Sequence, residues 1–259
     1  WDGFNPAAAG LRRASVASLN FDLMYGLPGQ TRADLEATLA AAIVMRPDRI
    51  ALFGYAHVPH LIPRQRRIEA TLLPPPDERF LSAERGFEIL TAAGYMPVGF
   101  DHFALPGDPL ARAAAEGRLR RNFQGFTDDP AEISIGLGAS AISAFPAFLL
   151  QNEKNAGRYR MLVSAGALPV ARGLMRSAED RTRAALIESI LCRGDADISR
   201  LDDREEVFWR LLPYEERGLV GWDGFTLRLA DEARPYARGI AAALDRYRRP
   251  AARRFSSAI

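Results

Sequence analysis

The spacing of apolar residues divides this chain into short continuous runs and helical stripes. Residues 18–25 (Ser-Leu-Asn-Phe-Asp-Leu-Met-Tyr) form a mostly apolar run that stops at Gly26-Leu27-Pro28-Gly29. Such a run predicts a buried parallel strand. Thr31 with Asp34 three residues on is a helix-start pattern. Leu35, Leu39 and Ile43 then recur at helical spacing until Pro47 stops them. Residues 49–55 predict a second strand, and a proline-interrupted loop follows over 57–76. Asp77 opens a second helix carrying Phe80, Phe87 and Leu90, Gly94 ends it, and residues 95–100 predict a third strand. Strand–helix alternation implies right-handed crossovers and a parallel sheet. The ligand site of such a sheet lies at the carboxyl ends of its strands. From about Gln151 the pattern becomes helical, with stripes over 181–193 and 205–217. Alternation around Asp223-Gly224 predicts a hairpin, and a last helix is expected over 231–248. Helices followed by a hairpin and a helix resemble a winged-helix module. The expected class is therefore α/β, with one part over 1–150 and a helical part over 151–259.

Composition narrows the class. The chain has 259 residues, 48% apolar and 25% charged, which excludes disorder, collagen and coiled coil. No uncharged apolar run approaches the ~18 residues of a membrane span. The first residues lack a basic stretch followed by an apolar one, so no secretory signal is expected. There is no initiator Met, and the expectation is that the true start lies upstream. The single cysteine, Cys192, excludes an internal disulfide framework and any multi-cysteine metal site built from this chain. Net charge is +2, and every basic residue except Lys154 is arginine. Arginine suits carboxylate and phosphate contacts, although such bias also follows from genome composition.

Several residues could carry chemistry. Asp22 interrupts an apolar strand, where it either bonds neighbouring backbone or accepts hydrogen bonds from ligand hydroxyls. Gly26-Leu27-Pro28-Gly29-Gln30 lacks both phosphate-loop patterns and predicts a tight turn. His57-x-x-His60 spans Pro59, which keeps the two off one regular helix, and no carboxylate stands at metal-ligand spacing. Asp101-His102 follows a strand, as an acid–base pair or as an Asp orienting a core histidine. The segment Arg118-Leu119-Arg120-Arg121-Asn122-Phe123-Gln124-Gly125-Phe126 runs from basic into aromatic and amide. Its arginines could meet carboxylates, or could form a solvated face. Residues 135–143 are small and apolar, suited to close approach of a ligand or to tight packing.

Five of these segments, in this order and spacing, resemble one family. They are Phe21-Asp22-Leu23-Met24-Tyr25-Gly26-Leu27-Pro28, Tyr55-Ala56-His57-Val58-Pro59, Gly99-Phe100-Asp101-His102-Phe103-Ala104, Arg121-Asn122-Phe123-Gln124-Gly125 and Gly136-Leu137-Gly138-Ala139-Ser140-Ala141-Ile142-Ser143. The family is the oxygen-independent coproporphyrinogen III oxidases, radical SAM enzymes of haem biosynthesis, and the likeness runs from about Leu11 to Ile259. It implies part of a radical SAM (β/α) barrel followed by a helical, winged-helix-like domain. The implied cofactors are a [4Fe–4S] cluster and two S-adenosylmethionine (SAM) molecules. The implied reaction uses a 5′-deoxyadenosyl radical to turn two propionates of coproporphyrinogen III into vinyls, giving protoporphyrinogen IX. By motif, Asp22 would bind SAM ribose or amine and Ala56 would meet SAM through its backbone. Phe123 and Gln124 would line the second SAM site, and Ile142 would pack near adenine. No catalytic acid or base is carried over. Arg121, with Arg120 beside it, is expected to hold a substrate propionate, with Arg64, Arg66 and Arg67 as competitors.

The family's Cys-x3-Cys-x2-Cys cluster motif is absent, as is the glycine-rich segment after it. The resemblance thus implies an incomplete portion, inactive alone, with the family's cluster ligands lying before the Asp22 strand. Its relative, the radical SAM haem chaperone, shares the Asp22 segment, but Tyr-Ala-His-Val-Pro and Arg-Asn-Phe-Gln-Gly favour the oxidase. A nucleic-acid role for the C-terminal module would draw on Arg238, Arg246, Arg248, Arg249, Arg253 and Arg254. The acidic residues around 202–216 oppose it. The expectation is a cytoplasmic monomer that engages an electron donor and acceptor, and neither nucleic acid nor membrane.

Overall fold

The computed structural model describes residues 4–248. The described residues divide into two compact units, one of 4–119, 231–239 and 247–248, the other of 120–230 and 240–246.

The first unit contains α1 (Phe4–Arg13), β1 (Asn20–Tyr25), α2 (Arg32–Val44), β2 (Arg49–Gly54), α3 (Pro76–Ala92), β3 (Met96–Val98), β4 (His102–Ala104) and α4 (Pro109–Ala115). Its sheet has the order β1-β2-β4-β3. β1 and β2 are parallel, with Asp22 opposite Ala51 and Tyr25 opposite Gly54. α2 starts where the sequence predicts. Thr31 Oγ1 accepts from the Asp34 backbone N–H, and the Asp34 carboxylate accepts from the Thr31 N–H. Leu35 and Leu39 from α2 and Leu90 from α3 pack with Ile50, Leu52 and Phe103 from the sheet. A β-carbon at Gly86 would stand 2.3 Å from Leu52 Cδ2, so glycine lets α3 lie close on β2.

Two expectations change here. β1 is half-buried: Phe21, Leu23 and Tyr25 alternate with the exposed Asn20, Asp22 and Met24. The core contacts come to one face only, hence the period of two. The third strand is a hairpin and not a single parallel strand. The chain turns at Gly99, whose φ of 61° lies in the left-handed region, and returns as β4. β4 then pairs antiparallel with β2, so the parallel arrangement is confined to β1 and β2.

The second unit contains β5 (Arg120–Arg121), β6 (Phe126–Thr127), β7 (Ile142–Ala144), β8 (Phe148–Asn152), α5 (Ala156–Ser164), β9 (Val170–Met175), α6 (Ala178–Arg193), β10 (Asp195–Asp197), α7 (Arg204–Glu215), β11 (Val220–Asp223) and β12 (Thr226–Leu229). The antiparallel sheet β7-β8-β9 extends past Gln151, where helix was expected. All of β9 is exposed, which removes the apolar alternation that would have marked it. The hairpin at Asp223-Gly224 is as expected, and β10 adds a third strand to it. The last expected helix is instead a 3-10 segment, Asp231–Tyr236, followed by α8 (Ala237–Ala243). Pro235 supplies no backbone N–H and disfavours α geometry before it. Arg249, Arg253 and Arg254 lie outside the described residues.

Leu39 is fully buried and Val44, on the same helix, is 80% exposed. Leu39→Ala should cost about 2–5 kcal/mol and lower the thermal midpoint by several degrees. Val44→Ala should stay within about 0.5 kcal/mol. Equal midpoints in calorimetry would refute this placement of the core.

Candidate functional site

In the first unit, the conspicuous polar groups gather where β1 and β2 end. The parallel ladder continues one step beyond β2, with the Tyr55 N–H donating to Tyr25 O at 2.8 Å. After β1 the chain turns at Gly26, φ 77°, under the side chain of Gln30. That amide accepts from the Leu27 N–H and donates to Met24 O, both at 3.2 Å. Asp22 is exposed, and Asn20 Nδ2 donates to its Oδ1 at 2.7 Å. The desolvation expected of a carboxylate in a strand is therefore small. Ala56 is exposed as well, and its carbonyl accepts from Gln65 Nε2 at 2.8 Å. The same Gln65 accepts the Val58 N–H at 2.6 Å. Tyr55 Oη and His57 Nδ1 are buried and meet no hydrogen-bond partner among the described residues.

Sequence reasoning missed Arg79. It is buried on the core stripe of α3 with Ser82, Gly86 and Leu90, and its guanidinium donates to Tyr55 O at 2.7 Å. An arginine at core spacing was the available signal. Burial holds the Tyr25 phenol above its ordinary value, and the Arg79 charge opposes that rise. Arg234, also missed, is pushed down to about 10 by burial. Its guanidinium lies 3.6 Å from the centre of the Phe87 ring and donates to Phe100 O. Asp101 Oδ1 and His102 Nδ1 are 2.6 Å apart, with Phe53 edge-on to the imidazole. His102 sits opposite Ala51, which sits opposite Asp22, so His102 and Asp22 share a row of the sheet.

In the second unit, the Asn122 carboxamide caps a turn by accepting the Gln124 and Gly125 N–H groups at 2.8 and 3.2 Å. Phe123 and Gln124 are exposed on that turn. Arg120 Nε donates to Glu188 Oε1 at 2.7 Å, and the Arg121 N–H donates to the same oxygen at 3.0 Å. The Arg121 guanidinium lies over the Phe126 ring, 4.5 Å from its centre. The Gly136–Gly138 loop is pinned from three sides. Buried Asn152 donates to both glycine carbonyls at 3.0 Å. Ser143 Oγ and Tyr159 Oη accept the two glycine N–H groups. A β-carbon at Gly136 would stand 2.6 Å from Ile142 O, so only glycine lets this loop lie against β7.

The structure places Asp22 and Ala56 in the first unit, and Arg120, Arg121, Phe123, Gln124 and Ile142 in the second. Their chemistry fits SAM: an exposed carboxylate for hydroxyls in the first unit, and in the second an exposed ring beside a carboxamide. It does not fit an iron–sulfur cluster, which needs several thiolates. The chain has one cysteine, and burial pushes the Cys192 thiol up to about 11. Among the described residues no three His, Cys, Asp or Glu side chains come together as a metal site. No described helix is long and apolar enough to cross a membrane.

No protein-family model matches the chain. Three curated proteins are clearly similar. Coproporphyrinogen III oxidase, anaerobic 1, of Cereibacter sphaeroides is 42% identical over 252 residues, covering 94% of this chain and 56% of that protein. The oxygen-independent coproporphyrinogen III oxidase of Bradyrhizobium diazoefficiens is 40% identical over 96% of this chain and 57% of its own length. The Helicobacter pylori (strain J99) protein of that name is 33% identical over 96% and 56%. The solved structure of coproporphyrinogen III oxidase from Escherichia coli, described as a radical SAM enzyme, matches with a TM-score of 0.86 at 32% identity. That match covers 94% of this chain and 58% of the solved one. The chain thus spans a little over half the length of these relatives.

Two outcomes follow from Cys192. Anaerobic reconstitution of these 259 residues with iron and sulfide should give no stoichiometric cluster; a bound one with absorption near ~400 nm would refute the misfit. The folded thiol also holds its proton to about 11, against roughly 8.5 unfolded. Its contribution to stability is complete below the unfolded value and lost as pH rises through the folded one. The midpoint advantage of wild type over Cys192→Ser should therefore shrink from pH about 8 to about 11. A constant difference would refute the shift.

Proposed function

The chain is homologous along nearly all its length to the oxygen-independent coproporphyrinogen III oxidases, and we propose that it forms the SAM- and substrate-holding portion of such an enzyme. The observation that carries this is the structural match, 0.86 over 94% of the chain at 32% identity. In this reading residues 1–150 are part of a (β/α) barrel and residues 151–259 a helical domain. α6, α7 and the β10-β12-β11 sheet make its winged-helix-like module. The setting is cytoplasmic, the protein monomeric, and an electron donor and acceptor are its redox partners.

The reaction takes carbon dioxide, one hydrogen atom and one electron from each of two propionates of coproporphyrinogen III, leaving vinyl groups. Bound SAM would supply the hydrogen-abstracting chemistry; this chain's residues bind and orient. The Asp22 carboxylate accepts from SAM ribose hydroxyls or amine, fixed from behind by Asn20. Ala56 offers backbone without side-chain bulk. Phe123 and Gln124 line a second SAM site, with the ring against a flat face and the carboxamide bonding an edge. Ile142 packs beside adenine. A propionate meets Arg121, with Arg120, which donates to Glu188, beside it. The Arg121 guanidinium lies over the Phe126 ring, and a planar fork suits a carboxylate through parallel bonds.

Equilibrium dialysis tests the proposal. The chain should bind SAM saturably, and Asp22→Ala and Gln124→Ala should each weaken one class of site by about 1 kcal/mol, roughly fivefold. Arg121→Ala should leave SAM uptake unchanged and weaken coproporphyrin III about tenfold. A chain that takes up neither ligand would overturn the proposal.

A further inference from the structure

We propose that Tyr55 and His57 form a carboxylate-binding pair at the carboxyl end of β2. The proposal rests on the porphyrin-precursor substrate argued above and adds a contact in the first unit. Tyr55 Oη and His57 Nδ1 are both buried and meet no hydrogen-bond partner among the described residues. An orphaned buried polar atom is costly, and two of them two residues apart call for an explanation. They are neighbours, with ring centres 6.1 Å apart.

Slack in the loop does not explain them. The Gln65 carboxamide bonds the carbonyl of Ala56 and the N–H of Val58, as a neighbouring strand would. Arg79 meanwhile holds the Tyr55 carbonyl. The backbone on both sides of His57 is therefore hydrogen-bonded, while the two side-chain polar atoms are not.

Charge selects the occupant. Across residues 55–76 there are three arginines, Arg64, Arg66 and Arg67, and one acid, Glu69, a formal 3 − 1 = +2. Those arginines are exposed, and among the described residues none forms an ion pair. Arg66 touches only the carbonyl of Pro59, at 3.4 Å. A phenol O–H, and an imidazole in the tautomer with its proton on Nδ1, beside an unbalanced basic turn suit an acceptor-only, negatively charged group, and a propionate carboxylate is one. Gln65 is the positioning residue, and Tyr55 and His57 the contacts.

The probe is coproporphyrin III, which keeps all four carboxylates, compared with its uncharged tetramethyl ester, each titrated by fluorescence. Tyr55→Phe and His57→Phe should each weaken the tetra-acid about fivefold or more, and change ester and SAM affinity by less than about twofold. Tyr55→Phe removes an orphaned hydroxyl, so its thermal midpoint should hold or rise, which loss of a structural hydrogen bond would not allow. Should His57→Phe fail to fold, Tyr55→Phe decides alone. Wild-type binding with unaltered variants would overturn the pair and leave the functional proposal standing. Equal losses for acid and ester, a loss of SAM affinity instead, or a lower midpoint for Tyr55→Phe would also overturn it. A wild-type chain that binds SAM but no porphyrin would overturn the pair, and one that binds neither would overturn the functional proposal with it.

Discussion

The parallel register between β1 and β2 is the constraint on which the first unit's site depends. Six residues of each strand pair one to one, so both strands finish at the same level. Tyr25 and Tyr55 are then joined by the next rung of the ladder. A slip of one residue would turn Phe21, Leu23 and Tyr25 out of the core and Asp22 into it. The register is held from the helix side, where Leu35, Leu39 and Leu90 pack on Ile50 and Leu52. Gly86 sets how close α3 can come. The exposed position of Asp22 is thus a consequence of packing on the opposite face.

Buried polar groups show where that scaffold spends stability. Arg183 is 4% exposed but meets Glu179, Asp203 and the Leu244 carbonyl, so burial is compensated. Asn152 is buried with both its amide hydrogens placed on the loop it pins. Arg234 donates to a carbonyl and lies over two aromatic rings, and burial lowers its hold on its proton against the nearby Asp101 charge. Tyr55 and His57 go further, with polar atoms that no side chain meets. Compensated burial is architecture; uncompensated burial beside a strand end has no packing reason to persist, since phenylalanine would fill the space of Tyr55 at lower cost.

Local chemistry made some of this legible. The Thr31–Asp34 box and the Asp223-Gly224 turn act within a few residues, and both elements form where the sequence places them. The β3–β4 hairpin escaped because residues 95–100 carry a strand pattern while the turn depends on the φ of one glycine. β9 escaped because an exposed strand has no apolar period. Asp22, Ala56, Phe123, Gln124 and Ile142 came from motif likeness, which transfers positions without geometry, and Arg121 from the chemistry of arginine with carboxylates. Arg79 and Gln65 came from neither, because their roles depend on reach: Arg79 spans 24 residues to Tyr55, and Gln65 folds back nine to Ala56. That Arg120 would be taken up by Glu188, 68 residues away, was equally invisible.

The arginine content illustrates why position outweighs composition. Most of this chain's arginines that form ion pairs do so at the surface, as Arg85 does with Glu36 and Glu88, Arg118 with Glu116 and Arg210 with Glu206. Pairs of that kind contribute about 0–1 kcal/mol and carry no functional information. A bias from arginine-rich coding would scatter such residues among acids, and a net charge of +2 reflects that near-balance. The Pro63–Arg67 turn departs from it, with three arginines in five residues and no carboxylate engaged. Like charges at that density repel, and nothing in the turn's own packing offsets the repulsion, since none of its residues is buried. A ligand carboxylate would relieve it, and would do so beside the one stretch of backbone that Gln65 holds rigid.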